Sequence, residues 1–217
     1  MMPIRAIVGL VACVALAMVT YGVVTHDSSP ALDMAAMTWA HTHGNALAIE
    51  VMQWVSRSGG PSTTSAYAAL LVILWLIRRE LATAAGVATI VYGGVALNIA
   101  FKHLVRRGRP VLEGPLMQLP TYSFPSGHAV AATVFGGLMV MMMLRDRPRE
   151  KPNAPAIGAI ILWIACVCAS RIYLRAHYPT DVLAGVLEGL AWLMFGSLAL
   201  DRGRVSLNWP KAVKNFL

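Results

Sequence analysis

Three clusters in this sequence combine residue types that act on anions. The first, Lys102-His103-Leu104-Val105-Arg106-Arg107-Gly108-Arg109-Pro110, brings four positive charges into nine residues. The second is Phe124-Pro125-Ser126-Gly127-His128. Pro125 suits a first helical turn, and Ser126 and Gly127 suit a helix start. Free N–H groups and the helix dipole make such a start an anion site. Gly127 lets a ligand come close to the backbone, and His128 falls within the first turn. The third runs from Ser170-Arg171 to His177-Tyr178-Pro179-Thr180-Asp181. His177 and Asp181 are four apart and meet around a helix start whose early position is Pro179. A carboxylate on one ring nitrogen fixes the tautomer and raises the basicity of the other. That describes an activated nucleophile or base. Together the clusters supply cations, a helix N-terminus, the histidines His128 and His177, and one carboxylate, Asp181. Phosphoryl transfer needs charge stabilisation, a nucleophile and an acid for the leaving group. No compact carboxylate cluster is present to hold a metal, so neither metal nor other cofactor is expected.

The elements that must carry these clusters follow from composition. Of 217 residues, 57% are apolar and 13% charged, against about 25% charged in a soluble domain. Disorder is excluded by the hydrophobicity. A crossing needs about 20 apolar residues. Six runs come near that length: Ile4–Val24, Ser62–Ile77, Leu81–Phe101, Ala129–Leu144, Ala154–Tyr173 and Val182–Leu200. The second and fourth are short and need a few more residues at their ends. The fold class is therefore all-α, a six-helix transmembrane bundle, with 1–217 read as one integral membrane domain. Arg5 and Ala15-Leu16-Ala17 hint at a signal peptide, and Leu10-Val11-Ala12-Cys13 at a lipoprotein box. The long first run suits an uncleaved helix better. Between the first two runs, Ser28–Ser58 reads as one or two interfacial helices with Trp39 and Trp54 at headgroup depth. Ser62-Thr63-Thr64 can cap the next helix, and Trp209 in the tail touches the interface.

Lys and Arg set the orientation. With both termini on one side, that side holds Arg5, Arg78, Arg79, Arg145, Arg147, Arg149, Lys151, Arg202, Arg204, Lys211 and Lys214, eleven in all. The other side holds seven: Arg57, Lys102, Arg106, Arg107, Arg109, Arg171 and Arg175. Cytoplasmic termini follow, with all three clusters on the outer side. The net charge of +8 is mostly a topology signal, not a nucleic-acid footprint.

The clusters read as Lys102 with Arg109-Pro110, then Pro125-Ser126-Gly127-His128, then Ser170-Arg171 with His177 and Asp181. The chain resembles the type 2 phosphatidic acid phosphatase superfamily, whose signature is K-x6-R-P, P-S-G-H and S-R-x5-H-x3-D; every signature position matches. The resemblance implies a metal-independent membrane lipid phosphatase. His177 would form a phosphohistidine, Asp181 would orient it, and His128 would protonate the leaving oxygen and then help activate water. Lys102, Arg109 and Arg171 would bind phosphate oxygens with Ser126 and the Gly127 N–H. A neutral His177 beside a protonated His128 predicts a bell-shaped pH–rate profile. The implied partner is a lipid phosphate in a bacterial inner membrane, first an isoprenoid diphosphate such as undecaprenyl diphosphate. The alternatives are phosphatidylglycerophosphate or phosphatidic acid, lipid A dephosphorylation or phosphotransfer, and a non-enzymatic transporter or scaffold. Oligomeric state is not legible, because apolar helix faces look alike against lipid or a partner.

Other residues read more plainly. Cys13, Cys166 and Cys168 are taken as small buried hydrophobes. His41 and His43, with Glu50, lack further metal-ligand spacing. Asn98 is expected to bond a neighbouring helix. Glu188 is expected to be protonated and bonded to another helix, or to line a lower pocket. Arg106, Arg107 and Arg175 are read as attracting anionic headgroups or a second phosphate.

Overall fold

A computed structural model describes residues 3–25, 31–110, 121–146 and 153–202. Arg147, Arg149, Lys151, Arg204, Lys211, Lys214 and Trp209, and the first three residues of the Ser28–Ser58 segment, lie outside the described residues. The described elements are helices: α1 (Ile4–Thr25), α2 (Ala31–Thr42), α3 (Ala46–Ser58), α4 (Pro61–Ile77), α5 (Leu81–Val105), α6 (Gly127–Asp146), α7 (Ala154–Tyr173) and α8 (Pro179–Arg202). Among the described residues six stretches are long and apolar enough to cross a membrane, and the second of them is Ala46–Ile77, which takes in both α3 and α4. The fourth run extends to Gly127 and Asp146, whereas α4 adds only Pro61 to the second run, whose passage reaches crossing length by including α3.

Local chemistry sets the ends. Asn45 caps α3 by accepting from Ala48 N at 2.9 Å, and Asn153 caps α7 by accepting from Ala156 N at 3.2 Å. The expected cap at Ser62-Thr63-Thr64 is not used: Pro61 is the first helical residue, after Gly60, and no side chain caps it. Pro125 and Ser126 precede α6 rather than entering its first turn, and Val130 N bonds Ser126 O at 3.1 Å. Arg79, Arg106 and Arg175, with φ of 60°, 53° and 55°, turn the chain through the left-handed region just beyond α4, α5 and α7. Glycine usually holds such positions. Arg106 Nε donates to His103 O at 2.9 Å and so meets the negative end of α5, which offsets part of the backbone cost.

The core lies where α5, α6 and α8 meet, around Val87, Ile90, Val91, Val130, Val134, Leu138 and Leu193. Trp192 donates to Ile90 O at 2.7 Å, tying α8 to α5. Helix α1 packs along α8, and α3 packs against α7, where Trp163 Nε1 donates to Ser58 Oγ at 2.9 Å. At one end of the bundle Arg5 pairs with Asp201 at 2.5 Å. At the other end, the end of α5, the start of α6, the end of α7 and the start of α8 converge. Ser126 N donates to Asp181 O at 2.9 Å there, and Arg109 Nη1 to Ala176 O at 2.7 Å.

Two expectations are corrected. Cys13 and Cys166 are exposed on the protein surface and Cys168 is half-buried. An apolar helix in a bilayer has no single inside, so hydrophobicity alone does not place a cysteine in the core. Arg107 does not point away as a headgroup attractor, being bound to Asp33 and Asp181, while Arg175 Nη1 lies 2.6 Å from Nδ1 of the exposed His41.

Candidate active site

The short turn between α7 and α8 builds the centre. Ala176 N and His177 N both donate to Arg171 O, at 3.0 and 3.3 Å. This folds the turn back and buries His177, which is 2% exposed. Its Nδ1 faces Asp181 Oδ2 at 3.6 Å. That oxygen also accepts from Tyr178 N at 3.0 Å and from the Ser123 hydroxyl in a short bond. The other oxygen of Asp181 accepts from Arg107 Nη1 at 2.6 Å. Acceptors on one side leave the second ring nitrogen of His177 for chemistry, and Arg109 Nη1 lies 3.4 Å from it. Burial pushes the His177 pKa down to about 4, against the pull of the Asp181 hydrogen bond and charge. Burial likewise lowers that of Arg109. For Arg107 burial acts downward too, but the Asp181 charge and the bonds to Asp33 and Asp181 outweigh it and raise its pKa.

The cations come from three elements. Arg171, near the end of α7, is fully buried and donates to Ser56 Oγ on α3 at 2.5 Å. Its Nε and Nη2 have no hydrogen-bond partner among the described residues, nor does the buried hydroxyl of Ser126. Leaving such groups unmet costs about 1–3 kcal/mol each. Arg171 and Ser126 both belong to the end of the bundle that holds His177 and Asp181, Ser126 N donating to Asp181 O at 2.9 Å and Arg171 O accepting from His177 N at 3.3 Å. Lys102, in the last turn of α5, donates to Tyr122 O at 2.7 Å and Ser123 O at 3.4 Å. Arg109 donates to Thr121 O at 2.7 Å. Lys102, Arg109, Arg107, His103, Tyr122 and Ile99 line a cleft of about 580 Å³. His128, in the first turn of α6, lies within electrostatic range of Arg171, His177, Arg109 and Lys102. A Cβ on Gly60 would come to 3.0 Å from its Nε2, so the α3–α4 junction passes directly beside it. A Cβ on Gly127 would lie 3.1 Å from Asn98 Oδ1.

All eight sequence-picked residues thus gather at one end of the bundle. Asn98 and Glu188 find each other across α5 and α8, Asn98 Nδ2 to Glu188 Oε2 at 3.0 Å, and Asn98 also donates to Pro125 O at 3.4 Å. His43 stacks on Trp39 at 5.1 Å. Among the described residues no group of three or more His, Cys, Asp or Glu is placed to hold a metal. Sequence reasoning missed Asp33, Ser56, Gly60 and Ser123 as parts of the site, and gave Arg107 to headgroups or a second phosphate rather than to Asp181. One signal was available: Asp33 stands alone among Leu32, Met34 and Ala35, and a charge in an apolar stretch asks for a partner.

Fold and site together define an α-helical, multi-pass membrane protein whose buried His–Asp pair faces converging cations. The chain belongs to the PAP2 superfamily, whose family profile matches residues 81–203. It is 32% identical over 97 residues to phosphatidylglycerophosphatase B of Bacillus subtilis (strain 168), covering 43% of this chain and 46% of that protein. It is 41% identical over 75 residues to the mouse (Mus musculus) glucose-6-phosphatase catalytic subunit 1, covering 31% of this chain and 21% of that protein. The matches therefore span less than half of the first relative's length and about a fifth of the second's. Its structure resembles the crystal structure of a transmembrane PAP2-type phosphatidylglycerolphosphate phosphatase from Bacillus subtilis. The TM-score is 0.79 at 20% identity, over 89% of this chain and 96% of that one. That likeness speaks for the fold.

Proposed function

We propose that this protein is a membrane lipid phosphatase that works through a covalent phosphohistidine at His177. The observation that carries the reading is the convergence of unpartnered buried donors, Arg171 Nε and Nη2 and Ser126 Oγ, on the end of the bundle that holds the His177–Asp181 pair. In this mechanism the Nε2 lone pair of His177 attacks phosphorus while Asp181 holds the Nδ1 proton. The bond from phosphorus to the leaving oxygen breaks, and His128 gives that oxygen its proton. Neutral His128 then takes a proton from water, the water oxygen attacks phosphorus, and the P–N bond breaks to release phosphate. Lys102, Arg109, Arg171, Ser126 and the Gly127 N–H hold the phosphate oxygens as charge builds.

A lipid substrate is favoured by Ile99, which lines the cleft beside Lys102 and is 52% exposed on α5. An amphiphile could leave its phosphate among the cations and its chain against that face. The relative named as a phosphatidylglycerophosphatase makes a phospholipid monoester the first substrate to test, with undecaprenyl diphosphate next. The site faces the outer side of a bacterial inner membrane, with cytoplasmic termini.

The test is phosphate release by the purified protein in detergent with EDTA. The panel holds phosphatidylglycerophosphate, undecaprenyl diphosphate, phosphatidic acid, lipid A and glucose 6-phosphate, each with wild type and with His177→Ala. EDTA-resistant release from a lipid, absent in the mutant, is expected. Release from glucose 6-phosphate alone, or undiminished release by the mutant, would overturn the reading.

A further inference from the structure

We propose that Asp33 and Arg107 form a positioning pair that governs how strongly Asp181 holds the Nδ1 proton of His177. The inference rests on His177 being the nucleophile.

Arg107 follows α5 and turns inward, its side chain 11% exposed. Nη1 donates to Asp181 Oδ1 at 2.6 Å and to Thr180 Oγ1 at 2.7 Å, and Nη2 donates to Asp33 Oδ2 at 2.9 Å. The guanidinium lies 4.3 Å over the Tyr178 ring. Asp33 reaches this point from α2 and is fully buried. Its Oδ1 accepts from Thr180 N at 3.0 Å and its Oδ2 from Thr180 Oγ1 at 2.6 Å, in the first turn of α8. A planar guanidinium can hold two carboxylates at once, which an ammonium does less well. The chain of contacts therefore runs from α2 through Arg107 to Asp181 and on to His177.

The charges give this chain a purpose. Asp33, Arg107 and Asp181 carry −1, +1 and −1. With Asp33 balancing Arg107, Asp181 keeps its negative charge for His177. Without Asp33, the guanidinium would draw on Asp181 alone, and His177 would face less negative charge. Without Arg107, Asp181 and the unbalanced Asp33 would both favour a protonated His177. The other groups facing His177 are Arg171 from α7, Arg109 from beyond α5, His128 from α6 and the Ser123 hydroxyl. Those groups act on His177 without passing through Asp33.

The experiment is a ring-nitrogen NMR titration of His177 in the full-length protein in detergent, without substrate. The signal is assigned by its loss in His177→Gln. Because no turnover is needed, failure here and failure of the phosphatase reading are separate results. The wild-type midpoint is expected near 4. Arg107→Gln should raise it by about 0.5–1 unit, and Asp33→Asn, which keeps its shape beside Thr180, should lower it by about 0.5 unit. Mere loosening would admit water and move both midpoints upward together, so the opposed signs are diagnostic. Unmoved midpoints, or two shifts of one sign, overturn the proposal. If one variant does not fold, the sign of the other decides. Loss of folding in both would make the pair a structural strut and overturn it too.

Discussion

His177 sits under opposed influences, and their balance is measurable. Burial strips water from the ring and disfavours its charged form, while Asp181 pulls the other way. Burial outweighs Asp181, which favours a neutral ring below the ordinary histidine range. The acid limb of kcat/KM should therefore fall near pH 4 and not near 6.5. The sign follows directly: a lowered pKa means that the lone pair is lost only once the pH drops through that lower value. Rates at low substrate across the pH range, with a folding control at the acid end, test this. An acid limb at the ordinary histidine value would mean that water reaches the ring freely.

Helix junctions do as much here as the helices themselves. Gly60 shows why. Its φ of −70° is open to any residue, so backbone freedom is not what it provides. Its contribution is room, since a Cβ would stand 3.0 Å from His128 Nε2. Gly60→Ala should push the imidazole by a few tenths of an ångström. Small misplacements of a reacting group are costly, so kcat should fall by about tenfold with the fold intact. Gly158→Ala is the control, because a Cβ there meets nothing within 4 Å. Equal kcat in both variants would mean that His128 adapts freely. The same logic applies to α2 and α3. Asp33 reaches Arg107 and the start of α8, and Ser56 reaches Arg171. Helices outside the signature thus hold the residues inside it.

Across the whole molecule, charge separates the two ends of the bundle. Arg5 and Asp201 close one end, and the gathered cations of the site occupy the other. The excess of Lys and Arg toward the termini predicts that the site end faces outward. Cysteines introduced at exposed Thr42, near the site, and exposed Glu80, at the opposite end, report this in a background free of Cys13, Cys166 and Cys168. In intact cells a membrane-impermeant thiol reagent should label Thr42→Cys and spare Glu80→Cys until the cells are opened. The reverse pattern would turn the protein over.

Much of this was legible in the chain. Long apolar runs have only one low-energy form in a bilayer, the helix, because each backbone polar group must be satisfied within its own segment. That determined six crossings and their approximate ends. Local spacing pointed to the His177–Asp181 pair, since residues four apart around a helix start can meet, and the turn closed on Arg171 O brings them together. Chemistry marked the clusters as anion-binding, and the matched signature picked Lys102, Arg109, Ser126, Gly127, His128 and Arg171 out of them. Only the tertiary structure decided what holds that site together. Asp33 lies 148 positions before Asp181, and Ser56 lies 115 before Arg171. No periodicity links residues so far apart; they meet because helix packing brings α2 and α3 against α7 and α8. The same packing decided that Arg107 turns inward while the neighbouring Arg106 stays exposed. A buried guanidinium is stable only where carboxylates already wait for it.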